Sequence, residues 1–524
     1  MRRILAFILA SVSPIVAASC TDQENPSFPV APPDEDAGGA DAEPVDGSVT
    51  GDPSKGVLLE GTVIGENGPF EGMVLVGEDG IIACAEPGQA CADDPKAAGV
   101  ARVNVDGVIA PGLIDTHNHI LFDIFDGDDW LPSQVYTNHD QWPNEPRYKE
   151  MVDIKQCIVD DSQGKPTWCP ARLDGAGSLR CEVLKFGELK ALVAGTTSVV
   201  GLPGTAFPCF GSIARSIDTQ FNGLDGDKVQ TAAILPSKST ADGVCRNYAE
   251  GKTAAYLIHV GEGTDQKSLD EWAELGTLTT TQGCLYAPQT AITHGTAFTA
   301  TEFQVMKEKG MKLVWSPASN MALYQQTTNV PLALDHGILT AIAPDWSMGG
   351  SPNMLDELRF ALKVSKEKWG GRLTAKDVVT MGTKNPAAIL GLGDKLGVLK
   401  KGYLGDLFVV RKSGNDAYEA ILAASPKDVR LTMIGGKVFY GDEALRPLAA
   451  YGPACEKLVA CGADKFVCVA VPGVQTDKLG QTLEQVTGLL EGALKELDEV
   501  RVTVGNKTDG LKFSPLTPLV SCPK

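Results

Sequence analysis

Short apolar runs alternate with helical patterns through the centre of the chain. The runs PGLID, AAYLI, QTAIT and LTAIA are rich in apolar or β-branched residues, and each is followed by a more polar segment. Residues 301–310 and 353–369 repeat apolar side chains at helical spacing. Strand-like runs that alternate with helices are typical of a parallel α/β fold. The central region, residues 109–389, is therefore predicted to form a parallel α/β barrel.

Two β-rich segments flank this central region, at residues 56–108 and 390–445. The first segment contains three strand-like pieces, and matching pieces return in the second. Dipeptides typical of turns accompany the first segment: Asn67-Gly68, Asp79-Gly80 and Asp106-Gly107. Because the two segments bracket the barrel, we predict one small β-domain built from both of them.

Residues 446–524 differ in character and are predicted as a separate C-terminal extension with four cysteines. Within it, apolar side chains recur at helical spacing and predict an amphipathic helix. These side chains are Leu479, Leu483, Val486, Leu490, Leu494 and Leu497. Such a stripe usually packs against other helices or a core, so we predict a packing face rather than a binding site.

The N-terminus has the pattern of an export signal. Arg2 and Arg3 precede an apolar stretch over residues 4–18, and small residues precede Cys20. Residues 1–20 therefore predict a bacterial lipoprotein-type signal peptide with Cys20 as the lipidated residue. An ordinary secretory signal cleaved near Ser19 is the alternative. Residues 21–55 are acidic and rich in Pro, Gly and Ala, which predicts a disordered linker.

Charge and cysteine content fit a protein exported to the bacterial cell envelope, in the periplasm or at the outer membrane. The formal net charge of −20 argues against nucleic acid or anionic lipid as a partner. The only predicted membrane contact is the lipid on Cys20. The other twelve cysteines predict disulfides of unknown connectivity in an oxidising compartment. No Cys-x-x-Cys pair exists, which disfavours a thiolate metal site.

Four histidines and one aspartate follow the strand-like runs of the barrel. They are His117, His119, His259, His294 and Asp345. Alternate residues of a strand share a face, so His117 and His119 point the same way. Nitrogen and oxygen ligands of this kind suit a divalent metal ion. We predict one such ion, with Zn²⁺ as the first choice and Fe²⁺ as the alternative, and a position left for water.

Three stretches of the chain resemble the amidohydrolase superfamily. They are PGLIDTHNH, ITHGTAFTATEFQVMKEKGMKLVWSPASN and TAKDVVTMGTKNPAAILGLGDKLGVLKKGYLGDLFVV. The resemblance is to the branch that holds cytosine deaminases, guanine deaminases and triazine hydrolases. It implies a distorted (β/α)₈ TIM barrel with a composite β-sandwich formed by the flanking segments. It also implies a metal held by His117, His119, His259 and Asp345.

The same branch carries a His-x-x-Glu motif, which here is His259 to Glu262. The resemblance implies that Glu262 is the general acid/base and that Asp345 both binds the metal and accepts a proton from water. His294 is either a metal ligand or a residue that orients water or substrate, and both readings stay open. Asn320 and Trp346 are candidate substrate contacts.

Together these features predict a metal-dependent, deaminase-like hydrolase of a C–N bond in a small substrate, with cyclic and heteroaromatic compounds as candidates. A cyclic amidase or a hydrolase of N-acyl amino acids or dipeptides is the nearest alternative. An envelope-anchored binding protein with a decayed site is the alternative from another class. Lys238 as a carboxylated ligand of a two-metal site is disfavoured. His139 is predicted to face solvent, His336 to be structural, and homo-oligomerisation stays open.

Overall fold

The computed structural model describes residues 48–161, 164–201, 213–218, 224, 228–473, 478, 480–504 and 510–523. The predicted signal peptide with Cys20, and the predicted linker up to residue 47, lie outside this part. The predicted end of the linker at residue 55 was wrong, because Asp52 already begins a strand and pairs with Val100. Across the described ranges, no helix combines the length and apolar character needed to cross a bilayer.

Four strands open the described chain: β1 (Asp52–Gly65), β2 (Gly68–Gly77), β3 (Ile82–Pro87) and β4 (Val100–Pro111). β1 pairs with β2 in antiparallel and with β4 in parallel orientation. Asn67-Gly68 and Asp79-Gly80 lie at the turns between strands, as predicted. Asp106-Gly107 does not make a turn between strands. It lies inside β4, where Asp106 has a φ of 37° and the pairing with β1 shifts register.

Eight strands follow, all in parallel pairs within the described residues. They are β5 (Leu113–Asp115), β6 (Thr196–Val199), β7 (Arg215–Ser216), β8 (Val229–Ala232), β9 (Ala255–Val260), β10 (Thr290–His294), β11 (Lys312–Trp315) and β12 (Thr340–Ile342). β5 to β7 form one parallel sheet and β8 to β12 another. A parallel bridge between Asn118 and Asp345 links the edges formed by β5 and β12. The fold is therefore α/β with parallel sheets.

Helices lie between these strands and continue after β12. They are α1 (Pro146–Val159), α2 (Arg180–Leu192), α3 (Lys238–Ala249), α4 (Gln266–Thr277), α5 (Ala300–Lys309), α6 (Pro317–Tyr324), α7 (Val330–Asp335), α8 (Met354–Trp369), α9 (Ala375–Gly382), α10 (Lys384–Ile389), α11 (Ala417–Ala423) and α12 (Leu483–Thr503). The predicted helices 301–310 and 353–369 correspond to α5 and α8. A capping box between Thr299 and Glu302 begins α5, and Gly310 ends it with a φ of 68°. Local sequence signals thus set these helix ends.

Five further strands complete the described sheets: β13 (Leu407–Arg411), β14 (Val429–Ile434), β15 (Lys437–Asp442), β16 (Glu456–Ala460) and β17 (Ala463–Val467). Among the described residues they join β1 to β4 in one sheet, ordered β16-β17-β15-β14-β13-β4-β1-β2-β3. Both flanking segments therefore contribute to one sheet, through the antiparallel pair of β4 and β13. β16 and β17 come from the predicted extension, so its boundary at residue 446 falls inside this sheet.

The amphipathic helix of the extension is α12, which packs against α1 and α2. Its buried side chains include Val486, Leu490, Leu494 and Leu497, as expected for a packing face. Leu479 lies outside the described residues. Five disulfides are present in the described part: Cys84–Cys91, Cys157–Cys169, Cys245–Cys284, Cys455–Cys468 and Cys461–Cys522. The predicted use of cysteines for disulfides is thereby confirmed, with a connectivity that the sequence left open.

Candidate metal centre

The four histidines and the aspartate meet at one edge of the parallel strands. The Nε2 atoms of His117 and His119 lie 2.8 and 3.4 Å from the same Asp345 oxygen, Oδ1. The ligand atoms of His117, His119 and His259 lie within 4.8 Å of one another, and so do those of His117, His294 and Asp345. Residues that are up to 228 positions apart in sequence are thus brought into one cluster.

Two members of this cluster have an unusual backbone. His294 has a φ of 69° and Asp345 a φ of 71°, in the left-handed region that glycine favours. Such residues cost of order 1–3 kcal/mol each and persist where the surrounding structure holds them. For Asp345 the holding contacts are visible, since its N–H donates to the His117 carbonyl and its carbonyl accepts from the His119 N–H. The end of β12 is therefore fixed directly to the segment after β5.

The electrostatics of the cluster suit a divalent cation. Burial lowers the pKa of His117 to about 3, with His294 adding to the effect, and burial lowers the pKa of His119 to about 4 although Asp345 opposes it. Burial also holds the pKa of His259 well below its usual value. These imidazoles are therefore neutral, which is the form that binds metal.

The orientation of His259 points to the same conclusion. Its Nδ1 lies 3.1 Å from the Ala232 carbonyl oxygen, which can only accept, so Nδ1 carries the proton and Nε2 keeps its lone pair. Neutral imidazoles beside the buried Asp345 carboxylate form a donor set that fits Zn²⁺ or Fe²⁺. The residues present thus fit a divalent metal ion.

Glu262 lies beside this donor set and is 5% exposed. Its Oε1 accepts a hydrogen bond from the Tyr324 hydroxyl at 2.8 Å, and its Oε2 lies 3.3 Å from His139 Nδ1. His294 Nε2 is 3.8 Å from the same Oε2. Burial would raise the pKa of Glu262, but His294 and His139 outweigh burial and hold that pKa below its usual value. Glu262 is therefore an ionised carboxylate, able to take up a proton.

The prediction that His139 faces solvent was wrong. Its side chain is 15% exposed, and its Nε2 lies 2.9 Å from Glu271 Oε1 while Nδ1 faces Glu262. Burial lowers the pKa of His139, but Glu262 and Glu271 together raise it to about 10. The loop turns inward because Asn138 bonds to Asp265 and pairs with Gly263. His139 is thus an imidazolium between two carboxylates.

Tyr324 and Trp142 are also parts of the site that the sequence did not reveal. The Trp142 indole N–H donates to the Tyr324 hydroxyl at 3.1 Å, and that hydroxyl donates to Glu262. Burial raises the pKa of Tyr324 well above its usual value, so it stays a donor. Tyr324 ends α6, which begins in the SPASN segment, and that proximity was the one available signal.

The structure places the other candidates as follows. Trp346 is buried, with its ring centroid 5.7 Å from that of His119. Asn320 is fully buried with Nδ2 3.0 Å from His294 Nδ1, so it contacts His294, and its contact with substrate stays a prediction. Lys238 is exposed at the first residue of α3, so nothing supports a two-metal site. His336 follows the last residue of α7, and its Nδ1 lies 2.8 Å from the Leu332 carbonyl oxygen of that helix, as a structural residue would.

A cavity of about 240 Å³ opens onto the cluster. Its walls include His119, His139, Trp142, Glu262, His294, Asp345 and Trp346. A second cavity of about 520 Å³ reaches His117, His119 and His259 from the side of Lys155. The smaller cavity is the one that joins the metal-binding donors to Glu262, so chemistry that needs both groups belongs there.

Replacing His139 with glutamine is expected to lower kcat/KM by about 10- to 100-fold, since Glu262 loses a charge-assisted hydrogen bond worth about 1.5–3 kcal/mol.

The same substitution should change how stability depends on pH. The pKa of His139, raised to about 10 from an ordinary 6.5, adds folding stability that is fully present below pH 6.5 and is lost as pH rises through 10. The difference in melting temperature between wild type and variant should therefore be large at pH 6 and vanish above pH 10. His336→Gln is the matched control, and equal effects from both variants would contradict this role.

Comparisons with known proteins agree with the geometry. Residues 228–439 match the model of the amidohydrolase family. The chain is 26% identical over 402 residues to a 5-methylthioadenosine/S-adenosylhomocysteine deaminase of Natronomonas pharaonis. The aligned residues cover 71% of this chain and 90% of the relative. A 5'-deoxyadenosine deaminase of Methanothermobacter thermautotrophicus is 23% identical over 437 residues, which cover 75% of this chain and 95% of that relative.

Solved structures with a similar fold include an adenosine deaminase from Xanthomonas campestris with bound zinc. Its TM-score is 0.58 at 17% identity, with 86% of this chain and 99% of that chain covered. A guanine deaminase from Bradyrhizobium japonicum has a TM-score of 0.53 at 18% identity, covering 74% and 99%. At these identities the likeness concerns the fold.

Fold, donor cluster and relatives together define a metal-dependent hydrolase with deaminase-like action on a C–N bond of a small molecule. The comparisons also support the amidohydrolase superfamily, to which the sequence motifs pointed.

Proposed function

We propose that this protein is a zinc-dependent deaminase that removes an amino group from a small heteroaromatic compound. The observation that carries the proposal is the position of Glu262. Its ionised carboxylate shares one cavity of about 240 Å³ with His119, His294 and Asp345. A proton carrier and a set of metal-binding donors thus face the same small space, as hydrolysis with a departing amine requires.

The cavity favours a small aromatic substrate. Its volume lies below the roughly 300–1,000 Å³ of pockets that hold drug-sized ligands. Trp142 and Trp346 line it, with ring centroids 5.1 Å apart. Within the described part of the chain the Trp346 indole N–H is buried without a hydrogen-bond partner, so it is available to an acceptor on a ligand. The names of the relatives favour adenosine-type amines within this class.

The residues around the cavity have distinct tasks. His117, His119, His259 and Asp345 would hold the ion, which when bound acts as a Lewis acid and supplies an activated water nucleophile. The Asp345 carboxylate accepts a proton as water attacks the ring carbon that bears the amine. Glu262, which is ionised at rest, takes up the second proton of this water and transfers it to the departing nitrogen. Ammonia then leaves as the C–N bond breaks and the carbonyl forms, and the proton held by Asp345 passes to the ring nitrogen. General acid/base catalysis of this kind contributes typically about 10²–10⁴-fold.

Ammonia release from a compound panel tests the proposal. The metal-loaded protein is incubated with adenosine-type nucleosides, purine and pyrimidine bases, triazines, hydantoins and N-acyl amino acids, with the chelated protein as control. We expect ammonia from heteroaromatic amines and none from the chelated sample. Acid products from hydantoins or N-acyl amino acids, without ammonia from any ring amine, would favour the amidase alternative. Tight binding without turnover would favour a binding protein.

The finer architecture and the location are part of the proposal. The bridge between Asn118 and Asp345 supports a (β/α)₈ barrel in which β12 lies beside β5, with the sheet of β1–β4 and β13–β17 as the composite sandwich. The five disulfides found in the described ranges support an oxidising compartment. Together with the N-terminal pattern, they favour export to the cell envelope with a lipid on Cys20.

A further inference from the structure

A chain of hydrogen bonds ends on the imidazole of His294. The Trp315 indole N–H donates to Thr327 Oγ1 at 2.6 Å, and the Thr327 hydroxyl donates to Asn320 Oδ1 at 3.4 Å. Asn320 Nδ2 lies 3.0 Å from His294 Nδ1. Trp315, Asn320 and His294 are each at most 1% exposed. This chain of hydrogen bonds therefore reaches the His294 imidazole through the protein interior.

The direction of donation along this chain follows from what each group can do. An indole nitrogen only donates, so Thr327 Oγ1 accepts from Trp315 and has one proton left to give. Among the described residues the acceptor for that proton is Asn320 Oδ1, and this pairing assigns the amide with Nδ2 toward His294. His294 Nδ1 is then an acceptor. An imidazole that accepts a hydrogen bond at Nδ1 carries its ring proton on Nε2.

The surroundings of His294 agree with a proton on Nε2. Glu262 Oε2 lies 3.8 Å away, and a lone pair on Nε2 would face that carboxylate unfavourably. The backbone of His294 is held as well, because Thr328 Oγ1 donates to its carbonyl at 2.6 Å. Two adjacent threonines thus fix both the backbone and, through Asn320, the imidazole of a residue with a φ of 69°.

We propose that Asn320 and Thr327 are positioning residues that keep His294 in the Nε2–H tautomer. His294 is then a hydrogen-bond donor to the oxygen that adds to the substrate, and the ion is left to His117, His119, His259 and Asp345. The task of the donor rests on the proposed function. The tautomer itself does not, since it is a property of the protein without substrate.

Side-chain nitrogen spectra of the full chain test this assignment. The protein is labelled with ¹⁵N-histidine and loaded with Zn²⁺, and the His294 signals are identified by their loss in His294→Gln. Wild type and Thr327→Ser are expected to show a protonated Nε2 and a free Nδ1. Asn320→Asp places an acceptor opposite Nδ1 and should move the proton there. Thr327→Val should give a mixture of tautomers, because the amide is no longer fixed.

Metal content and kinetics complete the test. All these variants should keep one Zn²⁺ per chain. We expect kcat to fall about 10²-fold in Asn320→Asp and about tenfold in Thr327→Val with little change in KM, and Thr327→Ser to restore turnover. A proton on Nδ1 in the wild type, zinc coordination at Nε2, or wild-type spectra in Asn320→Asp would overturn the proposal. If no compound releases ammonia, the proposed function is wrong while the spectra still decide the tautomer.

Discussion

Replacing Glu262 with glutamine is expected to lower kcat by about 10²–10⁴-fold while the protein keeps its metal. Glutamine has nearly the same shape and can still accept from the Tyr324 hydroxyl, so packing should survive. It cannot take up a proton, however, and the departing nitrogen would leave without one. The measurement is steady-state ammonia release together with metal analysis of the purified variant.

Glu274→Gln is the control for this substitution, since Glu274 is exposed on α4, the helix that follows the Glu262 segment, and does not line the cavity described above. The control should keep wild-type turnover and metal. Normal turnover in Glu262→Gln would remove Glu262 from the mechanism. Loss of metal in that variant would instead assign Glu262 to the ion, which its closeness to His259 and His294 makes a concrete alternative.

The residues at strand ends could be predicted because short patterns mark each of them. His117 and His119 alternate on one strand end, and Glu262 follows His259 by three residues. Parallel strands bring their carboxyl ends to one edge, so side chains far apart in sequence had to meet there. That rule needs no knowledge of loop paths. It explains why the proposed donors lie together as expected.

The residues that hold Glu262 could not be predicted in this way. His139 is 123 positions from Glu262 and Tyr324 is 62 positions from it, and neither lies in a periodic segment that sets its direction. The place of His139 depends on how the loop before α1 packs onto the segment after β9, and that of Tyr324 on how the end of α6 packs there. A polar stretch such as YTNHDQW reads as solvent-facing until its partners are known. Long-range packing, rather than local propensity, decides such positions.

The predicted boundary of the C-terminal extension was wrong for a related reason. β17 pairs with β15 through Tyr440 and Val467, which joins the cysteine-rich extension to the flanking sheet. Its composition had suggested a separate unit. At Asp106-Gly107 a strong turn signal was overridden, because Asp106 N–H bonds to Asn104 Oδ1 and the strand continues past an irregularity. Strand pairing over distance outweighs a local signal where the partners are already in place.

Removing the metal is expected to abolish turnover and to lower the melting temperature. An ion that binds only the folded state stabilises it by RT ln(1 + [M]/Kd), about 4 kcal/mol at a free concentration of 1,000 Kd. Without it, the Asp345 carboxylate is buried at 3% exposure among imidazoles that burial keeps neutral. Chelation followed by melting and ammonia-release measurements tests both effects.

Adding back Zn²⁺, Fe²⁺ or Mn²⁺ in turn should restore turnover and identify the ion that the centre prefers. His117→Asn should recover neither activity nor stability on addition of Zn²⁺, because the side chain closest to Asp345 Oδ1 among the histidines would no longer supply its nitrogen. His336→Asn, at a histidine that is not among the cluster residues, should respond to chelation and zinc as the wild type does. Full turnover by the chelated protein would exclude the ion from the reaction. Equal recovery of both variants would place the ion outside the histidine cluster, because His117 belongs to that cluster and His336 does not.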